Sequence, residues 1–228
     1  MQIEGSRILV TGGSSGIGRA TAAALVERGA QVAITGRDQQ KLQQTASAIG
    51  AVAADLDQSR HDQIPDRLAA IVDRLGGLDV LINNAGIGER LAVGELTAEA
   101  FERVYAVNVI GVALLTQAAV PVFKKQGRGH IVNIASTAAL NGYPTGTVYC
   151  SSKFALRGMT QCWQKELRPH DIRVSLVNPS EVPTAFGQAD RASRPEEAGG
   201  KTRIGRPRGR KRRASSHRPR SPTPSSPA

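Results

Sequence analysis

Between Arg7 and Arg173, short runs rich in β-branched residues alternate with longer stretches whose apolar residues recur at helical spacing. This alternation constrains the fold more than any other feature of the chain. A strand, a helix and a second strand in succession form a βαβ unit, and the crossover makes the two strands parallel. Six strands are expected, at Arg7–Val10, Gln31–Thr35, Ala51–Asp55, Val80–Asn83, His130–Ala135 and Arg173–Asn178. Most are apolar at consecutive positions, as strands covered by helices on both faces must be. Between the first two, Ile17, Ala20, Thr21, Ala24 and Leu25 recur on one helical face and Gly29 closes the pattern. The expected fold class is α/β, a doubly wound parallel sheet of about six strands.

Composition agrees with that class and divides the chain. Hydrophobic residues make up 40% of the 228 positions, which excludes a wholly disordered protein, and aromatics only 4%, so Ala, Val, Ile and Leu must build the core. The formal net charge of +11 invites a nucleic-acid reading until it is located. Residues 1–193 carry 19 basic and 17 acidic side chains, whereas residues 194–228 carry 11 basic and 2 acidic. From Lys201 to Ala228 there is no acid and no Leu, Val, Phe or Met. Such a segment cannot bury enough apolar surface to offset its chain entropy. We therefore expect one domain over 1–193 and a disordered basic tail over 194–228.

No signal peptide is visible after Met1. The mainly apolar stretch Val104–Phe123 is interrupted by Asn108 and Gln117 and followed by Lys124 and Lys125, so it reads as a buried helix beside the sheet. Cys150 and Cys162, twelve positions apart, would lie about three turns from each other on one helix, too far for a disulfide. Free thiols fit a reducing compartment, and a cytoplasmic location is expected.

Chemistry concentrates at the C-terminal ends of the expected strands. After the first comes Thr11-Gly12-Gly13-Ser14-Ser15-Gly16-Ile17-Gly18, a glycine-rich turn into a helix. There a pyrophosphate can approach backbone N–H groups and the positive end of the helix dipole. After the second comes Gly36-Arg37, where an acid would receive a ribose 2′-OH; Arg37 would instead pair with a 2′-phosphate, pointing to NADP. In isolation, the first segment is also a plain turn and Arg37 a solvated arginine. Asp55 and Leu56 after the third strand are candidates to meet the adenine, and Asn83-Asn84-Ala85-Gly86 closes the fourth. Ser136 follows the fifth strand, and Tyr149 precedes Lys153 by four residues, on one helical face. A phenol of pKa about 10 is a poor acid or base at neutral pH. An ammonium one turn away and an oxidised nicotinamide would favour the phenolate.

These motifs, in this order and spacing, resemble the short-chain dehydrogenase/reductase family over about residues 5–190. Its T-G-x-x-x-G-x-G loop is matched by Thr11 to Gly18, its N-N-A-G by Asn83 to Gly86, and its S-x12-Y-x3-K by Ser136, Tyr149 and Lys153. The resemblance implies a Rossmann-like fold, NADP as cofactor, Tyr149 as acid/base, Ser136 on the substrate oxygen, and Lys153 on the nicotinamide ribose. Asn108, in a segment like the family's N-x-x-G, would help hold a relay water; otherwise it is a satisfied core polar residue. Asn178 to Thr184 is similar to the family's N-P-G-x-V/I-x-T, which implies cofactor contacts from Pro179, Val182 and Thr184, with Ser180 in place of glycine. Cofactor contacts are likewise implied for Gly12, Ser14, Ser15, Gly16, Ile17, Gly18, Asn84, Ala85 and Gly86. No metal site is expected. The loop Ile87–Glu95 and the segment Thr137–Thr147, with Tyr143, would flank the pocket for a small carbonyl or alcohol substrate. The resemblance further implies a homodimer through the helices around Val104–Phe123 and Tyr149–Glu166.

The chain departs from the family after about residue 199, where no apolar segment supplies the usual further helix and seventh strand. The sixth strand would then be an exposed edge. An Arg-, Pro-, Ser- and Gly-rich run is what GC-rich DNA yields out of frame, so a frameshift near residues 198–200 is expected. A rival function is nucleic-acid binding through the tail; lacking Phe, Tyr and Trp, it would bind unspecifically and with strong salt dependence. A catalytically weak or unstable truncated family member is the third reading.

Overall fold

The computed structural model describes residues 2–180, 182 and 186. The expectations for Thr184 and for the tail 194–228 lie outside the described residues, as does the end of the 1–193 domain.

Six strands form one sheet: β1 Arg7–Val10, β2 Gln31–Thr35, β3 Val52–Ala54, β4 Val80–Asn83, β5 Gly129–Ile134 and β6 Ile172–Val177. The helices between them are α1 Gly16–Val26, α2 Gln39–Ile49, α3 Ile64–Leu75, α4 Ala98–Tyr105, α5 Val112–Gln126 and α6 Thr147–Glu166. Every pairing is parallel and the strand order is β3-β2-β1-β4-β5-β6, so the fold is Rossmann-like. The order reverses between β1 and β4, and such a switch point leaves a crevice beyond the carboxyl ends of the strands. The third strand is shorter than expected because Ala51 and Asp55 fall outside the ladder to β2.

Alternate strand residues feed opposite faces. Leu9, Leu81 and Ile131 pack with Ile64, Leu68 and Ile71 of α3 and Leu115, Ala119 and Phe123 of α5. Ile8, Val10, Val80 and Ile82 pack with Ala22 of α1 and Leu42 and Ala46 of α2. The expectation of strands apolar on both faces fits β1, β2 and β4 well. β6 is different: among the described residues it is the edge of the sheet, and Arg173 and Val177 are exposed.

The apolar helix is longer than its sequence pattern indicated. It runs from Ala98 through a π-helical segment, Ala106–Gly111, to Gln126. Its length and composition would suffice to cross a membrane, yet Val104, Leu115, Ala119 and Phe123 are fully buried against other elements of the protein. Beneath the carboxyl ends of β4 and β5 lies a buried polar chain. Asn83 Nδ2 donates to Asn133 Oδ1 at 2.9 Å and Thr116 Oγ1 at 3.2 Å, and Asn133 Nδ2 donates to Thr160 Oγ1 at 2.9 Å. Buried amides need such partners, and here they join α5 and α6 to the sheet.

Candidate active site

The β1–α1 turn is built by close approach of backbone to backbone. Gly12 has φ +64, and a Cβ there would stand 2.9 Å from Ala85 Cα; at Gly18 a Cβ would collide with Asn84 Nδ2 and Gly12 O. Thr11, which the motif analysis left without a role, locks the turn to β4. Its Oγ1 accepts from Asn84 N at 3.1 Å and Ala85 N at 3.0 Å, while Asn84 Nδ2 donates to Thr11 O at 2.9 Å. The glycine-rich loop and Asn84-Ala85-Gly86 are thus neighbours across the switch point.

The start of α1 differs from the starts of α2 and α4. Asp38 accepts from Lys41 N at the start of α2, and Thr97 from Ala100 N at the start of α4. Ser15, at the same position of α1, is extended and makes no side-chain cap, and the first turn holds no acid. A helix N-terminus whose amides are left for an incoming anion is what a pyrophosphate group requires, so the residues present fit a dinucleotide. Ser14 lies beside Gly36: a Cβ on Gly36 would stand 2.6 Å from Ser14 Oγ. Arg37 is exposed at the mouth of the same crevice and joins no ion pair among the described residues. Asp38, the nearest acid, is committed to its helix cap. Asp55 pairs with Arg67 at 3.2 Å, and Leu56 beside it is buried.

α6 carries both Tyr149 and Lys153, with Lys153 Nζ 5.8 Å from the centre of the Tyr149 ring. Cys150 and Cys162 sit on the same helix, the first buried and the second exposed. Ser136 enters from the end of β5; its Oγ accepts Ala138 N at 3.1 Å and lies near enough to the Tyr149 hydroxyl to favour the phenolate. Asn108 sits in the π-helical segment, fully buried. Its Oδ1 accepts Ile87 N at 2.9 Å, and its Nδ2 donates to Ile87 O at 2.8 Å and Ser152 Oγ at 3.0 Å. Gly86 is where two of these groups meet, since a Cβ on it would lie 3.2 Å from Asn108 Oδ1 and 3.5 Å from Lys153 Nζ.

The electrostatics of the protein alone set what a bound cofactor would have to offset. Within the protein, burial pushes the Tyr149 phenol up to about 12, outweighing the opposing hydrogen bond from Ser136. Burial also lowers the Lys153 ammonium to about 8. Lys153 Nζ donates to Ile134 O at 3.1 Å, and desolvation dominates its effect on both groups. The lysine one turn away therefore does not by itself activate the tyrosine.

Pro179 O accepts Thr137 N at 2.9 Å, holding the turn after β6 against the end of β5. Ser180 poses no backbone problem: the non-glycine residues with positive φ are Thr145 and Asp171 among the described residues. Val182 is exposed. Phe186 had no signal in the sequence. Its ring lies 5.7 Å from that of Tyr149, tilted by 52°, and its edge approaches Gly88. Only the fold brings so distant a side chain over the phenol.

The comparisons with known proteins agree with this geometry. The short chain dehydrogenase family profile matches residues 6–195, and the chain belongs to that family of oxidoreductases. It is 37% identical over 185 residues to a sorbitol dehydrogenase of Cereibacter sphaeroides, spanning 80% of this chain and 72% of that protein. Among solved structures it resembles a 3-ketoacyl-(acyl-carrier-protein) reductase from Brucella melitensis complexed with NADH, with 34% identity and a TM-score of 0.77, covering 80% of this chain and 78% of that one. A short chain dehydrogenase/reductase from Burkholderia phymatum in complex with NAD gives a TM-score of 0.80 at 29% identity, covering 90% and 76%.

Proposed function

We propose that the protein transfers hydride between NADP(H) and a carbonyl or secondary-alcohol carbon, with Tyr149 as the acid/base. The observation that carries this reading is the convergence of Ser136, Tyr149 and Lys153 from β5 and α6, with Lys153 beside Gly86 and Tyr149 beside Gly88, at the end of a crevice whose helix N-terminus lacks a cap. A bound nicotinamide would supply the hydride chemistry at the carbonyl carbon, and Tyr149 would give the proton to the carbonyl oxygen, or take it back in oxidation. Ser136, beside the Tyr149 hydroxyl, donates to the same oxygen and aligns it. Lys153 holds the nicotinamide ribose, and Asn108 keeps the π-helical backbone beside it in place. Both would serve a relay that returns a proton to Tyr149.

A phenol held near 12 retains its proton throughout the neutral range, which suits the reduction direction. The first loop residues Gly12, Ser14, Ser15, Gly16, Ile17 and Gly18 would hold the pyrophosphate, and Asp55, Leu56, Asn84 and Ala85 the adenosine half. Pro179, Val182 and Thr184 would face the nicotinamide. Arg37 is the basis for NADP over NAD, because no uncommitted acid stands at the end of β2. Two of the similar structures hold NADH or NAD, so cofactor preference is the sharpest point to test. A homodimer through α5 and α6 and a cytoplasmic site of action complete the proposal.

Tyr149→Phe should bind NADPH, followed by its fluorescence, yet reduce a panel of ketones and aldehydes at least about a thousandfold more slowly than wild type. Turnover within tenfold of wild type would overturn the role of Tyr149.

A further inference from the structure

The segment that leaves β4 passes the candidate acid/base and brings with it a positive charge. A Cβ on Gly88 would lie 3.8 Å from Tyr149 Cδ2, so this stretch of backbone borders the phenol. Of its two charged residues, Glu89 is already engaged: Arg103 Nη2 donates to its two carboxylate oxygens at 2.5 and 2.7 Å. The next acid along the chain, Glu95, accepts the Ala92 N–H at 3.1 Å. Arg90 forms no ion pair among the described residues. Its guanidinium carbon instead sits 5.3 Å from the centre of the Tyr143 ring.

This stack is fixed from beneath. Tyr143 lies on Gly146, where a Cβ would meet Tyr143 Cε2 at 2.6 Å and Cys150 Sγ at 2.8 Å. Leu91 N donates to Thr145 O at 3.0 Å, tying the two pocket-flanking loops together. Thr145 is held at φ 63, a left-handed conformation that a β-branched residue rarely adopts. The stacked guanidinium and ring therefore flank the stretch of backbone that borders the phenol.

An arginine stacked on a ring has its plane set while its N–H edge remains open to a bidentate oxyanion, so little further ordering is needed on binding. We propose that Arg90, stacked on Tyr143, is a specificity-determining residue that selects carbonyl substrates carrying a carboxylate remote from the reacting carbon. The proposal rests on the hydride-transfer reading above and names the substrate class for that site.

The test is NADPH-dependent reduction of 3-oxobutanoate, 4-oxopentanoate and 5-oxohexanoate, each against its own ethyl ester. The wild-type protein, Arg90→Ala, Arg90→Lys and Tyr143→Leu are compared. At one or more chain lengths the wild-type kcat/KM for the acid should exceed that for the ester by about fivefold, the scale of a solvent-exposed ion pair. In Arg90→Ala the ratio should fall to about one, through KM rather than kcat, with partial recovery in Arg90→Lys. Tyr143→Leu should lower it as well, and added salt should lower it in wild type. Because the ratio is taken within one preparation, a partly unfolded variant lowers both rates and leaves it readable. A wild-type ratio of one or less at every length, or reduction of no acid, overturns the proposal, as does a ratio that Arg90→Ala leaves unchanged. The underlying reading is judged separately: if Tyr149→Phe still reduces the esters, that reading falls whatever Arg90 does. Loss of turnover in Tyr149→Phe with a flat Arg90 ratio overturns the selectivity alone.

Discussion

The two ends of the same strands are built to opposite rules. At the amino end, Arg7 Nε and N donate to Asp79 Oδ2 at 2.8 and 2.9 Å, and Arg7 Nη2 donates to Asp79 Oδ1 at 3.0 Å. Arg128 lies 3.6 Å from the same carboxylate, and Gln126 Nε2 donates to Leu78 O at 2.6 Å. Charges there are matched and hydrogen-bonded. At the carboxyl end, Ser15 leaves its helix uncapped and the buried ammonium of Lys153 has no carboxylate partner among the described residues. One end uses its polar groups to close the fold, while the other leaves them available to a ligand.

Removing the buried charge from the carboxyl end gives the largest expected effect. Lys153→Met should lower turnover by about a hundredfold or more and yet melt several degrees higher than wild type at pH 7. The sign follows from proton counting. In the unfolded chain this lysine keeps its proton up to about 10.5, whereas in the fold it loses it near 8. The unfolded state therefore binds more protons between those values, and wild-type stability rises with pH across that window. The advantage of the Met variant should shrink from pH 8 to pH 10 in thermal melts; a gap that widens would contradict the assignment. Arg37→Asp, which avoids the contact that a side chain at Gly36 would make with Ser14, should shift the NADPH-to-NADH preference by about tenfold or more. An unchanged ratio of kcat/KM values would remove Arg37 from cofactor recognition.

At the amino end the same kind of change should act on stability alone. Asp79→Asn should cost about 2 kcal/mol in urea unfolding at pH 7 while the folded fraction keeps its kcat. Arg7 holds the Asp79 carboxyl below its ordinary value. The wild-type protein has this contribution in full above the usual carboxylate range and loses it as pH falls through the depressed value, so the two proteins should converge in acid. The smallest effect compares two helix starts. Thr97→Ala should lose about 1 kcal/mol because it removes a cap, and Ser15→Ala almost nothing in the absence of cofactor. Equal losses would mean that α1 is capped like α4, and that its start is not left open to a ligand.

Much of the crevice was legible beforehand because its parts are local. Thr11 to Gly18, Asn84 to Gly86, and Tyr149 with Lys153 each lie within one turn or one helix, so spacing along the chain already states their geometry. Thr11 as an anchor, Arg90 on Tyr143 and Phe186 over Tyr149 were not legible, since each depends on a partner far away in sequence and on no repeating pattern. The desolvation of Tyr149 was not legible for a related reason. A neighbouring lysine can be counted from spacing, but the burial that outweighs it is a property of the packed site.

Order and type of elements came from the sequence by itself, because hydrophobic period, glycine turns and short connections are encoded residue by residue. So did the pairing of Tyr149 with Lys153, whose separation of four residues is one helix turn. Tertiary structure decided the rest: which strands are neighbours, which helix start stays open, how deeply Lys153 is desolvated, and which arginine is left without a carboxylate. Those outcomes are sums over contacts between remote segments, and no local pattern carries them.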